Sequence, residues 1–421
     1  MSRQAFAAWV VALLTACSSC RESGAANDAT VGTDNAMAPF YPFDVILPDR
    51  VEPPPPPPPC GRPGRPPSEQ PLWADCTLRI TPVEERVTAM PACGPGRPVL
   101  QFPLGPAIET CVHDGWIYAG RGFTRRVRLS DGRVETLTHP VDLDLLAGSW
   151  GCNSRGLVLA AGQLSTRAAA IVHFTDLEHP GRVQWHRVLH VRPGEDIPQG
   201  GVYAMRASDV FSFFLLQDES PAYFYVASPT GENPRRLSED LVGINSDFAL
   251  GGRYLTYSHE WDIHLYDHVT GRDENLTRSD SVWEQFSAID GDRVVYIDHR
   301  TRTPDDYGNA NVWLLDLTTR QRTAITSQPA QPGAQRFSPA FSGDWIIWED
   351  TRNNAVPLPG IDTAPNRQLF GYNLRTRREV PIVSGVYNAA YALIVGNRLY
   401  YSCALSREAQ IGTYVMDLPP G

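Results

Sequence analysis

Three short segments carry side chains able to do chemistry: Ser258-His259-Glu260, Asp298-His299-Arg300 and Glu349-Asp350-Thr351-Arg352. Each closes an apolar, β-rich stretch. Imidazole nitrogens with a carboxylate are ligands for a borderline metal, and histidine beside arginine can hold an acidic sugar. The same residue types also form ion pairs that tie neighbouring elements together. Two histidines and a carboxylate are few ligands for a metal, so the structural reading is the stronger. The candidate binding residues are His259, Asp298, His299, Arg300, Asp350 and Arg352. No catalytic residue, metal or cofactor is assigned.

Other motifs fail on spacing or context. His259-Glu260 and His264 are one residue too far apart for the metalloprotease HExxH, and the segment reads as strand and turn. Gly151-Cys152-Asn153-Ser154-Arg155-Gly156 is no nucleophile elbow, since no helix follows it. The oxygen-rich stretch Asp305 to Asn311 lacks the spacing of an EF-hand and reads as a solvated loop. Trp283, Trp313, Trp345 and Trp348 lie in or beside strands, where aromatics dominate burial. One or two of them on a rim could stack on a sugar.

The elements that position these residues repeat. A strand, a turn on Gly with Asp or Asn, and a β-rich strand recur at Gly252-Arg253, Gly291-Asp292-Arg293, Gly343-Asp344-Trp345 and Gly396-Asn397-Arg398. Such turns need positive φ. A third strand follows each copy (Ile263 to Asp267, Val312 to Asp316, Leu369 to Asn373, Thr413 to Asp417), and a more polar fourth follows in the earlier ones. Fainter copies place second strands near Trp116, Gly156 and Asp209. Counted at residues 116, 156, 209, 253, 293, 345 and 398, the intervals run from 40 to 53 residues. Four antiparallel strands per unit of that length specify an all-β propeller, with seven blades expected and six the alternative. The last copy stops after its third strand. Its outer strand must come from elsewhere, either Cys76 to Ile80 or Pro98 to Phe102, which would remove the two exposed edges of an open ring.

The copies from residue 245 to 417 resemble TolB-like propellers, whose blades read as strand, Gly-Asp-Arg, apolar strand ending in Asp, Arg and Asn, then a strand ending in Asp and Thr-Gly. The matching residues are Asp298-His299-Arg300, Asp350-Thr351-Arg352-Asn353 and Asp267-His268-Val269-Thr270-Gly271. The resemblance implies a propeller whose functional residues collect where second-to-third and fourth-to-first strand links share one face. On that basis His259, His299 and Asp350 should circle one mouth of the ring. TolB itself carries an extra N-terminal domain that binds partner proteins. Residues 60–110 are too short and Pro-rich to supply one. Oligogalacturonate lyases, which hold a metal with histidines of a propeller, supply the alternative: a carbohydrate-active enzyme at the propeller mouth.

The N-terminus sets the address. Arg3 and the largely apolar stretch from Ala5 to Ala16 read as a signal peptide, residues 1–16, too short to span a bilayer. Leu14-Thr15-Ala16-Cys17 resembles the bacterial lipobox, which implies acylation of Cys17 and a membrane anchor. Ser18, not Asp, follows, which favours the outer membrane. Residues 17–75 read as a disordered tether. Between Pro39 and Pro71 lie 14 of the 37 prolines, and the run Pro53 to Pro59 is extended polyproline II. The propeller is assigned to residues 76–421.

The charge agrees. There is no lysine: all 37 basic residues are arginine, and the formal net charge is −10. A generic nucleic-acid binder is excluded. The expected partners are the membrane, through the lipid, and an envelope protein or surface ligand. The propeller is expected to act as a non-catalytic binding scaffold. Of eight cysteines, Cys60, Cys76, Cys93, Cys111, Cys152 and Cys403 form an even set in an exported protein, where disulfides persist. Near neighbours within 60–111 are expected to pair, with Cys403 reaching back to Cys111 or Cys152.

Overall fold

A computed structural model describes residues 79–82, 92–100, 110–119, 125–138, 149–163, 168–174, 183–187, 202–217, 222–231, 235–237, 248–279, 283–299, 310–326, 335–353, 367–385, 388–404 and 412–420. The signal peptide, Cys17, the tether, Cys60, Cys76 and Arg300 lie outside the described residues.

Every described element is a strand, because alternating apolar residues punctuated by tight turns bury one face of each strand against the next sheet. In chain order the sheets begin at Thr110–His113, Ser149–Asn153, Val202–Ala207, Phe248–Gly251, Glu284–Asp290, Arg336–Ser342 and Asn388–Val395. Each is an antiparallel meander whose first strand packs on the first strand of the next sheet. Six sheets have four strands, the propeller-blade pattern, and the first has five. Among the second strands, Trp116–Ala119, Gly156–Gln163, Ser212–Gln217, Tyr254–His259, Arg293–Asp298, Trp345–Asp350 and Arg398–Ala404 begin at or just after the repeat positions read from sequence. The last sheet packs on the first: Tyr400 and Val415 share an apolar cluster with Ile117, Val127 and Val134, and Arg398 Nη1 donates to the Leu129 carbonyl at 3.2 Å.

Local chemistry explains the turns. Gly252 and Gly343 sit at φ +56° and +60°, a region closed to most side chains. At the ends of third strands, Asp267 accepts from the Val269 amide at 3.0 Å, and Asp316 accepts from the Thr318 and Thr319 amides at 2.9 and 2.7 Å. Three sheets repeat one bulge in their first strand, between Gln285/Ala288, Phe337/Ala340 and Ala390/Leu393, with Phe286, Ser338 and Tyr391 at positive φ.

Closure uses the segment before the repeats. Arg97–Leu100 pairs with Gly412–Asp417 as the outer strand of the last sheet, the later of the two segments expected for that role. Arg79–Pro82 instead adds a fifth strand outside Val134–Thr138 of the first sheet. For the four cysteines among the described residues, the pairing expected from sequence is corrected. Cys93 bonds Cys403, 310 residues away, and Cys111 bonds Cys152, 41 residues away. Cys93 lies just before the closing strand and Cys403 lies on its sheet, so proximity in the ring overrides proximity in sequence. Cys111–Cys152 joins the first strands of the first two sheets. The recurring arginines bridge mainly to their own sheet's carboxylates, Arg293 to Asp290 at 3.6 Å and Arg398 to Asp417 at 3.5 Å, and reach the neighbour through carbonyls.

Candidate functional site

The mouth is formed where second strands end and third and first strands begin. Pairing fixes which residues correspond. His259 opposes Asp262, Asp298 opposes Asn311, and Asp350 opposes Gln368, so His259, Asp298 and Asp350 hold one register position. The sequence expectation aligned His259 with His299. The structure corrects it by one residue, and because side chains alternate along a strand, that step turns His299 to the other face. His299 corresponds instead to Thr351: their amides donate to the carbonyls of Trp283 at 2.9 Å and Gln335 at 3.0 Å.

In the sixth sheet the mouth is filled by ion pairs. Asp350 is fully buried and accepts from Arg336 Nε at 3.1 Å, Trp348 Nε1 at 3.0 Å, and the Arg352 amide and Nε at 2.8 and 2.9 Å. Burial alone would raise the Asp350 carboxyl, but bonding from Arg352 and the charges of Arg336 and Arg352 outweigh it and hold it low. Arg352 also meets Glu379 at 2.5 Å and lies over the Phe370 ring at 4.0 Å. Arg336 reaches the Ala310 carbonyl of the fifth sheet, and Glu349 accepts from Arg367 at 2.6 Å and from the Tyr391 amide of the last sheet at 2.9 Å. Asp350 and Arg352 pair within the sixth sheet, and the links beyond it run through Arg336 and Glu349.

The fifth sheet differs at the same register. Where Arg336 faces Asp350, Glu284 faces Asp298, two buried acids. Burial pushes the Glu284 carboxyl up; the Ser279 hydroxyl, bonded at 2.7 Å, opposes this, the charges of Asp298 and Asp262 reinforce it, and the result is about 7. Asp262 accepts from Asn275 Nδ2 at 2.6 Å and from the Ser279 amide and hydroxyl at 2.9 and 2.8 Å. Burial would raise its carboxyl, but those bonds hold it low. Where the sixth sheet has Gln335 and Thr351, the fifth has Trp283 and His299, with ring centroids 5.2 Å apart, and a His299 ring nitrogen lies 3.1 Å from Gln285.

His259 is half-buried, 5.3 Å from the His264 ring, and burial first, then His264, lowers its pKa below the ordinary histidine value. The described contacts bring Asp350 and Arg352 together. Among the described residues no group of three or more His, Cys, Asp or Glu is placed to hold a metal ion. Of the four tryptophans read from sequence, Trp345 and Trp348 are core, as expected, whereas Trp283 is half-buried at the mouth. Sequence reasoning passed over Trp261 and Glu284. The available signal was the turn His259-Glu260-Trp261-Asp262, which lacks the Gly or Asn a tight hairpin favours.

The strand order and register define an all-β propeller. No family model matches the chain, and no curated protein matches its sequence. Among solved structures it is similar to a putative TolB from Agrobacterium tumefaciens, with 15% identity, 56% of this chain, 80% of that chain and a TM-score of 0.38. TolB from Acinetobacter baumannii matches at 13% identity over 65% of this chain and 66% of that one, with a TM-score of 0.35. YCF48 bound to D1 peptide matches at 11% identity over 81% and 98%, with a TM-score of 0.48.

Proposed function

We propose that the protein is a lipid-anchored propeller of the bacterial cell envelope that binds a protein partner or surface ligand at its mouth without catalysing a reaction. In this reading the five-stranded sheet counts as the seventh blade. Cys17 carries the lipid, the tether of residues 17–75 holds the propeller off the membrane, and Ser18 directs it to the outer membrane. The observation that carries the binding role is the state of the mouth's charges. Arg352 and Arg367 reach the rim, each held by a buried carboxylate, Asp350 and Glu349, so the rim presents fixed cations and not a nucleophile with its base.

Crosslinking mass spectrometry on the native envelope tests the binding role. The expected result is one recurring envelope protein joined to residues around the mouth. A clean capture with no partner under several conditions overturns it. Fatty-acid labelling of Cys17→Ser tests the anchor separately: loss of label and release from the membrane are expected, and retained label refutes the assignment.

A further inference from the structure

Arg126, Arg128 and Arg352 use one edge of the guanidinium in the same way. Arg128 gives Nε and Nη2 to the two oxygens of Asp131, at 2.9 and 2.5 Å. Arg126 gives that edge to Glu135, at 2.8 and 2.6 Å. Arg352 gives it to Asp350, at 2.9 and 2.5 Å, and spends Nη1 on Glu379. The edge is planar, carries two parallel N–H donors and fits a carboxylate side-on.

Arg367 departs from that pattern. It stands at the mouth, directly before the third strand of the sixth sheet, Gln368–Asn373. Its backbone is clamped to the last sheet: the amide donates to Asn388 Oδ1 at 3.3 Å, and the carbonyl accepts from the Ala389 amide at 2.8 Å. The guanidinium donates to Glu349 through Nη1 at 2.6 Å and lies over the Phe337 ring at 4.7 Å. Among the described residues nothing accepts from its Nε or Nη2, and the side chain is 31% exposed.

The open edge is held in place from several sides. Glu349 is fully buried, and its other oxygen accepts from the Tyr391 amide of the last sheet at 2.9 Å. Phe337 opens the bulge in the first strand of the sixth sheet and lies 5.9 Å from Phe286, the bulged residue of the fifth. Bulges re-aim side chains beside binding sites, and this one seats Phe337 against the guanidinium. With Nη1 and one face fixed, a ligand does not have to freeze the arginine on binding. Charge points the same way. The acids that balance Arg367 and Arg352, Glu349 and Asp350, are 0% exposed, whereas both guanidinium groups reach solvent, so an approaching ligand meets the cations first.

We propose that Arg367, through its Nε–Nη2 edge, is the docking point for an Asp or Glu side chain presented by a partner protein. This rests on the binding reading above and names the residue and the chemistry of the contact. The partner's carboxylate completes for Arg367 the pair that Glu135, Asp131 and Asp350 complete for Arg126, Arg128 and Arg352.

The test uses the full chain with its arginine nitrogens isotope-labelled, titrated with an acetylated, amidated Gly-Glu-Gly peptide and its glutamine analogue, which keeps the shape and removes the charge. The Nε–H resonance of Arg367, assigned by its loss in Arg367→Lys, should shift with the glutamate peptide and respond roughly tenfold more weakly to glutamine, the difference between a charged and a neutral acceptor. A merely structural arginine responds to neither. If Arg367→Lys does not fold, Arg367→Gln/Glu349→Gln removes both charges of the pair together and gives the assignment. Equal response to both peptides, no response to either, a response confined to Arg352, a tighter response to inorganic phosphate, or a response only to a peptide whose carboxylate is its own C-terminus overturns the proposal. If the envelope partner is captured undiminished by Arg367→Gln/Glu349→Gln, the docking point fails while the scaffold reading stands. If no partner is captured by the native chain, the scaffold reading fails whatever the peptides do.

Discussion

The Cys93–Cys403 bond closes the ring across 310 residues, and its removal gives a calculable perturbation. The chain-entropy relation for a crosslinked unfolded state gives roughly 5.7 kcal/mol at 25 °C for that separation. The same relation gives roughly 3.9 kcal/mol for Cys111–Cys152, whose separation is 41. A domain stable by about 5–15 kcal/mol would lose a large fraction of its margin in the first case. The closing strand keeps other holds: the Tyr401 hydroxyl donates to the Cys93 carbonyl at 2.7 Å, and the Gly96 amide donates to that hydroxyl at 3.1 Å. Cys93→Ser/Cys403→Ser should therefore remain folded at low denaturant. Guanidinium unfolding followed by tryptophan fluorescence and circular dichroism, in the wild type and both double mutants, measures the loss. The long-range mutant should lose more, by roughly 2 kcal/mol. An equal or smaller loss than in Cys111→Ser/Cys152→Ser would refute ring closure as the source of the bond's stabilisation.

Further expectations follow from the mouth and the sheet contacts. Glu284 holds its proton to about 7 when folded against 4.5 as a free side chain, so stability falls as pH rises between those values; Glu284→Gln should remove that slope and add about 1–3 kcal/mol at pH 8 in thermal unfolding. His268 stacks on Phe211 at 4.5 Å, and burial first, then the charge of Arg235, lowers its pKa below 6.5. The unfolded chain therefore takes up the proton first, and stability declines as pH drops below about 6.5; His268→Phe, keeping the stack, should reduce that acid loss in a melting-temperature series. Asp350→Asn leaves Arg336 buried without its charge partner and should cost about 3–5 kcal/mol by chemical denaturation. A cost under about 1 kcal/mol would show that the pair does not hold the sixth sheet.

The second strands were legible because their signal is local. An apolar alternation ending at a Gly-Asp turn declares itself within ten residues, and so do the Asp267 and Asp316 caps. The mouth was half legible. Asp350 and Arg352 form an ion pair, but within the sixth sheet and not between neighbouring blades. His299 was misregistered because the Gly252 turn carries one residue fewer before its repeat arginine than the Gly291 turn. Glu284 carried no signal, since a glutamate at a strand start is ordinary until its cross-strand neighbour is known to be Asp298.

Local chemistry specifies the repeating strand-turn unit, the all-β class and the turns that end each strand, because these depend on φ preferences and side-chain alternation over a few residues. Long-range packing sets the rest: that Arg97–Leu100 joins the last sheet while Arg79–Pro82 joins the first, which cysteines bond, and that two acids share a register where the next sheet has an ion pair. One open strand edge looks like another in sequence. Which edge a segment joins depends on where ring closure brings the chain ends, across hundreds of residues, and no local periodicity records that distance.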